Sequence, residues 1–265
     1  MCIIFFQFNP SPNETPYQLI LAANRDEFLN RPSRPAQPLE GHPNVICGLD
    51  LEPTNPGGTW IGVSKNGRIA AITNTSRATH DPKLQSRGEL VMKFLTSEVS
   101  PKAYLEEIAQ VGHKYNGFFL ITIALRQDKI DGYIFCNKDD EGIRHISEGL
   151  HGLSNFAFNS NQTKIVYGKE LIADAVKKSS SKGDLISSLL TALKDNKRNV
   201  PDPLHSYMYP ELSSINVKLP TYGTRTHTII LVDHQQNVTF TEHTMQYPIT
   251  ENPKWIENCY EFRFQ

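Results

Sequence analysis

The spacing of apolar and polar residues changes several times along this chain, and each change marks an element. Residues 2–8 are an apolar run of strand length, Cys2-Ile3-Ile4-Phe5-Phe6-Gln7-Phe8. Turn residues follow at Asn9, Pro10, Ser11, Pro12 and Asn13, and residues 17–23 form a second apolar run, so the two runs predict a hairpin. The second run delivers four polar residues together: Asn24, Arg25, Asp26 and Glu27. Residues 31–38 carry Pro32, Pro35 and Pro38. Proline removes backbone donors and fixes φ, so this passage is expected to be an extended surface crossover rather than a strand interior. Residues 45–50 read as a short strand and Pro56-Gly57-Gly58 as a turn. Residues 59–64 and 68–74 then form a hairpin about an Asn66-Gly67 turn.

The period then becomes helical. Residues 87–97 place Leu90, Val91, Phe94 and Leu95 on one stripe, and residues 101–112, opening on Pro101, group Tyr104, Leu105 and Ile108. Residues 118–125 are almost wholly apolar, the pattern of a strand covered on both faces. Residues 131–137 and 143–147 continue the strands, and 149–155 reads as a turn into a polar stop. A second helical pair spans 163–178, with Val166, Leu171, Ile172, Ala175 and Val176, and 183–194, with Leu185, Ile186, Leu189, Leu190 and Leu193. Residues 195–220 contain Pro201, Pro203, Pro210 and Pro220 and predict a long ordered loop of the lid type. Strands at 224–232, 238–244 and 258–264 close the chain. Two sheets packed together, each covered outside by a helix pair, would bury both kinds of apolar pattern. No linker interrupts this plan, which predicts one domain over residues 1–265.

Charge narrows the function classes. Lys and Arg number 27 against 28 Asp and Glu, a balance that removes the electrostatic motive for general nucleic-acid binding. No run reaches the roughly 18 apolar residues of a membrane-spanning helix, and no basic segment precedes residues 2–8 as a signal peptide would require. An intracellular protein is the expectation. The four cysteines, Cys2, Cys47, Cys136 and Cys259, form no C-x-x-C pair, and the nine histidines form no metal-binding spacing, so no metal site is predicted.

Cys2 stands apart because of its position. Removal of Met1 would leave an α-amine of pKa about 8 on the same residue as a thiol of pKa about 8.5, so the amine could serve as base for its own nucleophile. Such a site needs orienting charges and donors for an oxyanion. Arg25 and Asp26, read as an ion pair at the end of the partner strand, supply the first. Asn74 and Asn155, both at strand ends, are candidates for the second, and Arg225 begins a strand after Gly223. Each of these residues read singly is also an ordinary turn or surface residue; their joint fit to one pocket is the expectation to be tested.

Several phrases resemble the NRDE family, the transport-and-Golgi-organisation family. They are Met1-Cys2-Ile3-Ile4-Phe5-Phe6, Leu21-Ala22-Ala23-Asn24-Arg25-Asp26-Glu27-Phe28, Arg31-Pro32, Gly57-Gly58-Thr59-Trp60, Ala71-Ile72-Thr73-Asn74, Arg87-Gly88-Glu89-Leu90, Tyr115-Asn116-Gly117-Phe118, Gly152-Leu153-Ser154-Asn155 and Tyr222-Gly223-Thr224-Arg225-Thr226-His227-Thr228-Ile229-Ile230. That family is similar to N-terminal-nucleophile hydrolases with an N-terminal Cys. The resemblance implies Cys2 as nucleophile with Arg25, Asp26, Asn74, Asn155 and Arg225 around it. One departure is that Arg25 and Asp26 are adjacent, where the hydrolases separate these roles by a short gap. Element order and resemblance together predict an α+β fold, a four-layer αββα sandwich with two mainly antiparallel sheets between helix pairs.

For function the resemblance implies intracellular haem trafficking, with roles in haem, lipid and Golgi homeostasis and a cytoplasmic, mitochondrial or Golgi-associated location. Haem would be a transported ligand rather than a required cofactor, with Arg25 or Arg225 on its propionates and His227 near iron. The alternative is an amidohydrolase or acyltransferase acting on a non-peptide amide or thioester. Both call for a small anionic or amphipathic ligand, haem or an acyl compound, drawn by a surplus of positive charge around Cys2. A scaffold in membrane traffic, using the Pro-rich surfaces, is a third reading.

Overall fold

The computed structural model describes every residue except 1, 10, 12–14, 53–56, 77–80, 127–128 and 203–207. In chain order the strands and helices are β1 (Ile3–Phe8), β2 (Tyr17–Phe28), β3 (Ser33–Leu39), β4 (His42–Asp50), β5 (Ile61–Ser64), β6 (Arg68–Asn74), α1 (Gly88–Thr96) and α2 (Pro101–Val111). There follow β7 (Phe118–Arg126), β8 (Lys129–Cys136), β9 (Arg144–His145), β10 (Gly149–Leu153), α3 (Thr163–Lys178), α4 (Lys182–Leu193), β11 (Tyr222–Asp233), β12 (Asn237–Met245) and β13 (Trp255–Arg263). One sheet has the order β10-β1-β2-β11-β12-β13 and the other β3-β4-β5-β6-β7-β8-β9.

Side chains alternate across a strand, so each sheet presents two faces to two different layers. Phe6, Leu19, Leu21 and Ile230 of the first sheet meet Ile46, Val63, Ile121 and Ile134 of the second in the central core. The opposite faces are covered by helices. Leu90, Phe94, Leu105 and Ile108 of α1 and α2 pack on Ala70, Phe118 and Leu120. Ile165, Ile172, Leu189 and Leu193 of α3 and α4 pack on Ile3, Phe5, Ile20 and Ile229. Three apolar layers between four layers of structure make an αββα sandwich, as expected from the element order.

Two segments differ from the sequence reading. The Pro-rich passage contains a strand, β3, because it lies at a sheet edge. There a proline costs no ladder hydrogen bond, and the register slips between Arg34 and Gln37 and again between Pro38 and Leu39. Residues 149–153 are a strand rather than a turn, pairing with β1 from Phe8↔Gly149 to Ile4↔Leu153. Their glycines look like turn signals, but Gly152 serves close packing: a Cβ there would come within 2.9 Å of Ile165 on α3. The described parts of the expected 195–220 loop include a short 3₁₀ turn over Pro210–Ser213 and anchors such as Asn216 N–H to Asp195 O at 2.8 Å. The expected turns that include Pro10, Pro12, Asn13 and Pro56, the Pro203 position and the fate of Met1 lie outside the described residues.

Candidate functional site

Register sets the site. β1 runs antiparallel to β2 with Ile3 opposite Asn24, which brings Cys2, one residue before β1, to the level of Arg25 and Asp26. Cys2 is half-buried and opens on a cleft of about 400 Å³ whose lining includes Arg25, Asp26, Glu27, Arg31, Asp50, Trp60, Asn74 and Arg87.

Arg25 and Asp26 are not an ion pair with each other. Adjacent strand residues point to opposite faces. Arg25 turns toward the second sheet, where its Nη2 meets Asp50 Oδ2 at 3.0 Å and Glu27 at 3.9 Å, and its guanidinium lies 4.3 Å from the Trp60 ring centre. Asp26 turns the other way and accepts a hydrogen bond from Thr224 Oγ1 at 2.5 Å. Arg31 completes the ionic network with Nε 2.8 Å from Asp50 Oδ2. Behind Arg25 the fully buried Glu242 of β12 accepts from Ala36 N–H at 2.6 Å through one oxygen, while its other oxygen has no hydrogen-bond partner among the described residues.

The asparagines take different roles. Asn74 ends β6 at the cleft wall, and Asn155 donates its amide to the Asn74 carbonyl at 2.6 Å. One N–H of that amide therefore braces the wall. Arg225 does not line the cleft. It sits at a register shift between Thr224 and Thr226, fully buried, and donates to the Phe28 carbonyl at 2.8 Å, the Arg31 carbonyl and Ser33 Oγ at 3.0 Å. It holds the segment that carries Arg31. His227 opens on a separate cavity on the helix-facing side of the first sheet, bonded to Asn24 at 2.7 Å. Thus Cys2, Arg25, Asp26 and Asn74 share one cleft, Asn155 supports it from behind, and Arg225 and His227 lie elsewhere.

Sequence reasoning passed over Arg31, Asp50, Trp60, Arg87 and Lys164. Arg31, Trp60 and Arg87 stand inside the phrases quoted for the resemblance, so a signal existed. Lys164, buried in the first turn of α3 with Nζ 3.1 Å from the Leu212 carbonyl, gives none, because lysine there looks like an ordinary surface position.

Burial dominates the titration of the site. It pushes the Cys2 thiol up, with the Asp26 charge adding and Arg25 opposing. It also raises the Asp26 carboxyl to about 6, against the opposing Thr224 hydrogen bond and Lys164 charge. The cleft so holds a protonated thiol beside a carboxyl that exchanges protons near neutrality. Its lining has three arginines, Arg25, Arg31 and Arg87, against Asp26, Glu27 and Asp50, so the surplus of positive charge expected around Cys2 is absent from the lining. Arg87 nevertheless carries no ion pair among the described residues; its Nη1 donates to the Gly117 carbonyl at 3.0 Å. No cluster of three or more His, Cys, Asp or Glu side chains suited to a metal ion occurs among the described residues. No helix among them is long and apolar enough to cross a membrane.

Residues 1–247 match the family described as Transport and Golgi organisation 2. The chain is 41% identical to a Homo sapiens protein named Transport and Golgi organization protein 2 homolog, and 40% identical to the Mus musculus homolog. Each alignment covers 100% of both chains. A solved structure of a mutant conjugated bile acid hydrolase from Clostridium perfringens aligns at TM-score 0.39 and 10% identity, covering 100% of this chain and 97% of that one.

Proposed function

The chain belongs to the Transport and Golgi organisation 2 family, and from that premise we propose that its Cys2 cleft takes an anionic acyl compound and that the Cys2 thiol attacks the amide or thioester carbonyl. The observation that carries this reading is the half-buried thiol facing an open cleft at the level of Asp26, with an arginine, Arg87, that has no acidic partner among the described residues. In the reaction, sulfur bonds to the carbonyl carbon and the thiol proton passes to a base, either the α-amine of Cys2 after loss of Met1 or the Asp26 carboxylate. The carbon–nitrogen or carbon–sulfur bond then breaks, and the leaving group takes a proton. Water or an acceptor releases the acyl group from Cys2. Arg87 anchors the anionic end of the substrate. Arg25, held by Asp50, keeps a fixed positive field at the thiol that favours the thiolate.

The test uses a succinyl thioester as probe. Mass spectrometry of the purified chain should show an N-terminus beginning at Cys2 and a succinyl adduct on that residue, and the adduct should be absent from Cys2→Ala. Retained Met1 together with no adduct overturns the reading.

Haem carriage, with roles in haem, lipid and Golgi homeostasis and a mitochondrial or cytoplasmic setting, is the finer function that the family resemblance implies. The residues named for haem do not converge. Arg25 is committed to Asp50, Arg225 to backbone carbonyls, and His227 opens on another cavity. The Cys2 cleft offers no histidine to iron among its described lining residues. Haem carriage through the cleft would rest on the Cys2 sulfur and Arg87. A titration with haem that gives the same spectrum in wild type and Cys2→Ala would remove that version of it.

A further inference from the structure

A cavity of about 680 Å³ lies apart from Cys2, between the 216–219 loop, β11, β12 and the start of β13. Its polar centre is His227, which is 1% exposed. The hydrogen bonds around this ring fix its tautomer. Asn24 Nδ2 donates to the Leu193 carbonyl at 2.8 Å and to the Ile215 carbonyl at 3.0 Å, so the amide of Asn24 has one orientation and its oxygen faces His227. His227 Nδ1 lies 2.7 Å from that oxygen and must carry the proton. Burial, with the charges of Lys194, His243 and Lys218 adding, holds the imidazole far below its usual pKa, at about 3, so the ring is neutral at any ordinary pH. Nε2 is left as a bare acceptor with no hydrogen-bond partner among the described residues.

The surroundings fit a particular chemistry. Trp255 stacks on His227, ring centres 5.1 Å apart and planes 8° from parallel, and remains 41% exposed at the cavity. Lys194 and Lys218, both exposed, stand on the lining near the imidazole; His243 is held by Glu257 at 3.4 Å, and Glu251 also lines the cavity. An acceptor on a buried ring with no donor among the described residues, a flat indole and two lysines define three points of contact. We infer that this cavity binds a flat aromatic acid bearing a hydroxyl or ring N–H: the donor meets His227 Nε2, the ring packs beside Trp255, and the acid group pairs with Lys194 and Lys218. The site is independent of the chemistry at Cys2, since Cys2 is not among its lining residues.

Calorimetric titration with 6-hydroxy-2-naphthoate and with 2-naphthoate, which lacks the donor, tests the inference. The hydroxy acid should bind at one site per chain, about tenfold more tightly than its parent, since a buried acceptor left unmatched penalises the analogue. His227→Leu should erase that difference. The double variant Lys194→Gln, Lys218→Gln, changed only at exposed positions and so expected to fold, should weaken both acids about tenfold or more. Cys2→Ala should leave both affinities unchanged. Three outcomes overturn the inference: no saturable heat with either acid, equal affinity of the two acids for wild type, or loss of binding in Cys2→Ala, which would move the ligand to the cleft.

Discussion

Asn24 and Arg25 are neighbours on β2 that face opposite sides of one sheet, and the two regions they serve handle buried polarity differently. On the Arg25 side, charge is kept and balanced: Asp50 receives both Arg25 and Arg31, and the cleft admits water. Around Asn24 and His227 the buried groups are neutral, and the lysines that line the cavity, Lys194 and Lys218, stay at exposed positions. Asn24 spends its amide on two backbone carbonyls and its oxygen on His227, which stays neutral. Burying an ion costs far more than burying a dipole whose hydrogen bonds are satisfied. The difference teaches that the ionic region is suited to stabilising changing charge, whereas the neutral one is suited to recognising a fixed pattern of donors.

Substitutions can break or sharpen this contrast. The largest effect is expected from Cys2→Ala, which should lower any acyl transfer by about a thousandfold or more while leaving the denaturation midpoint within error, because only the nucleophile is lost. Initial rates with the succinyl thioester and urea unfolding on the same samples check both halves. Next, Arg225→Met should destabilise the fold by about 3–5 kcal/mol, since two carbonyls and a hydroxyl lose a charged donor. The same urea series measures it. If Arg225 were instead a ligand-binding residue, affinity would fall with stability intact.

The third effect concerns pH. Burial raises the Glu242 carboxyl from its ordinary 4.5 to about 7. A raised folded-state value means that stability is full below the unfolded value and is lost as pH rises through the folded one. Glu242 should therefore remove about 3 kcal/mol of stability between pH 4.5 and 7, with Asp26, raised from 3.8 to about 6, contributing in the same direction. Glu242→Gln should flatten most of that slope in unfolding curves taken across this range. The smallest effect is Asp50→Asn, about 1–2 kcal/mol, because Asp50 is partly exposed and water screens what the arginines lose. Thermal unfolding measures it, and added salt should shrink the difference.

Much of this architecture was legible in the sequence because burial imposes periods. The α3 boundaries at Thr163 and Lys178 and the Asn66-Gly67 hairpin follow from apolar spacing and turn chemistry alone. The edge strand β3 and the strand β10 were hidden because proline and glycine carry local signals that a sheet edge and close helix packing override. In the site, Cys2 and Asp26 could be read because one strand pairing brings them together. The partners of Arg25 could not: Asp50 belongs to the other sheet, and no local rule predicts which acid of a distant strand faces a given arginine. Arg225 likewise looks like a strand charge, and only the register shift beside it turns its side chain onto the 28–33 segment.

That clamp has a consequence for how ligands arrive. Arg225 ties down the carbonyls of Phe28 and Arg31 and the hydroxyl of Ser33, the stretch that forms one rim of the cleft. The conformational entropy of that rim is lost when the chain folds rather than when a ligand binds, so association draws no ordering penalty from it. Encounter with the cleft should then follow single-step kinetics, its rate proportional to ligand concentration with no plateau from a closing loop.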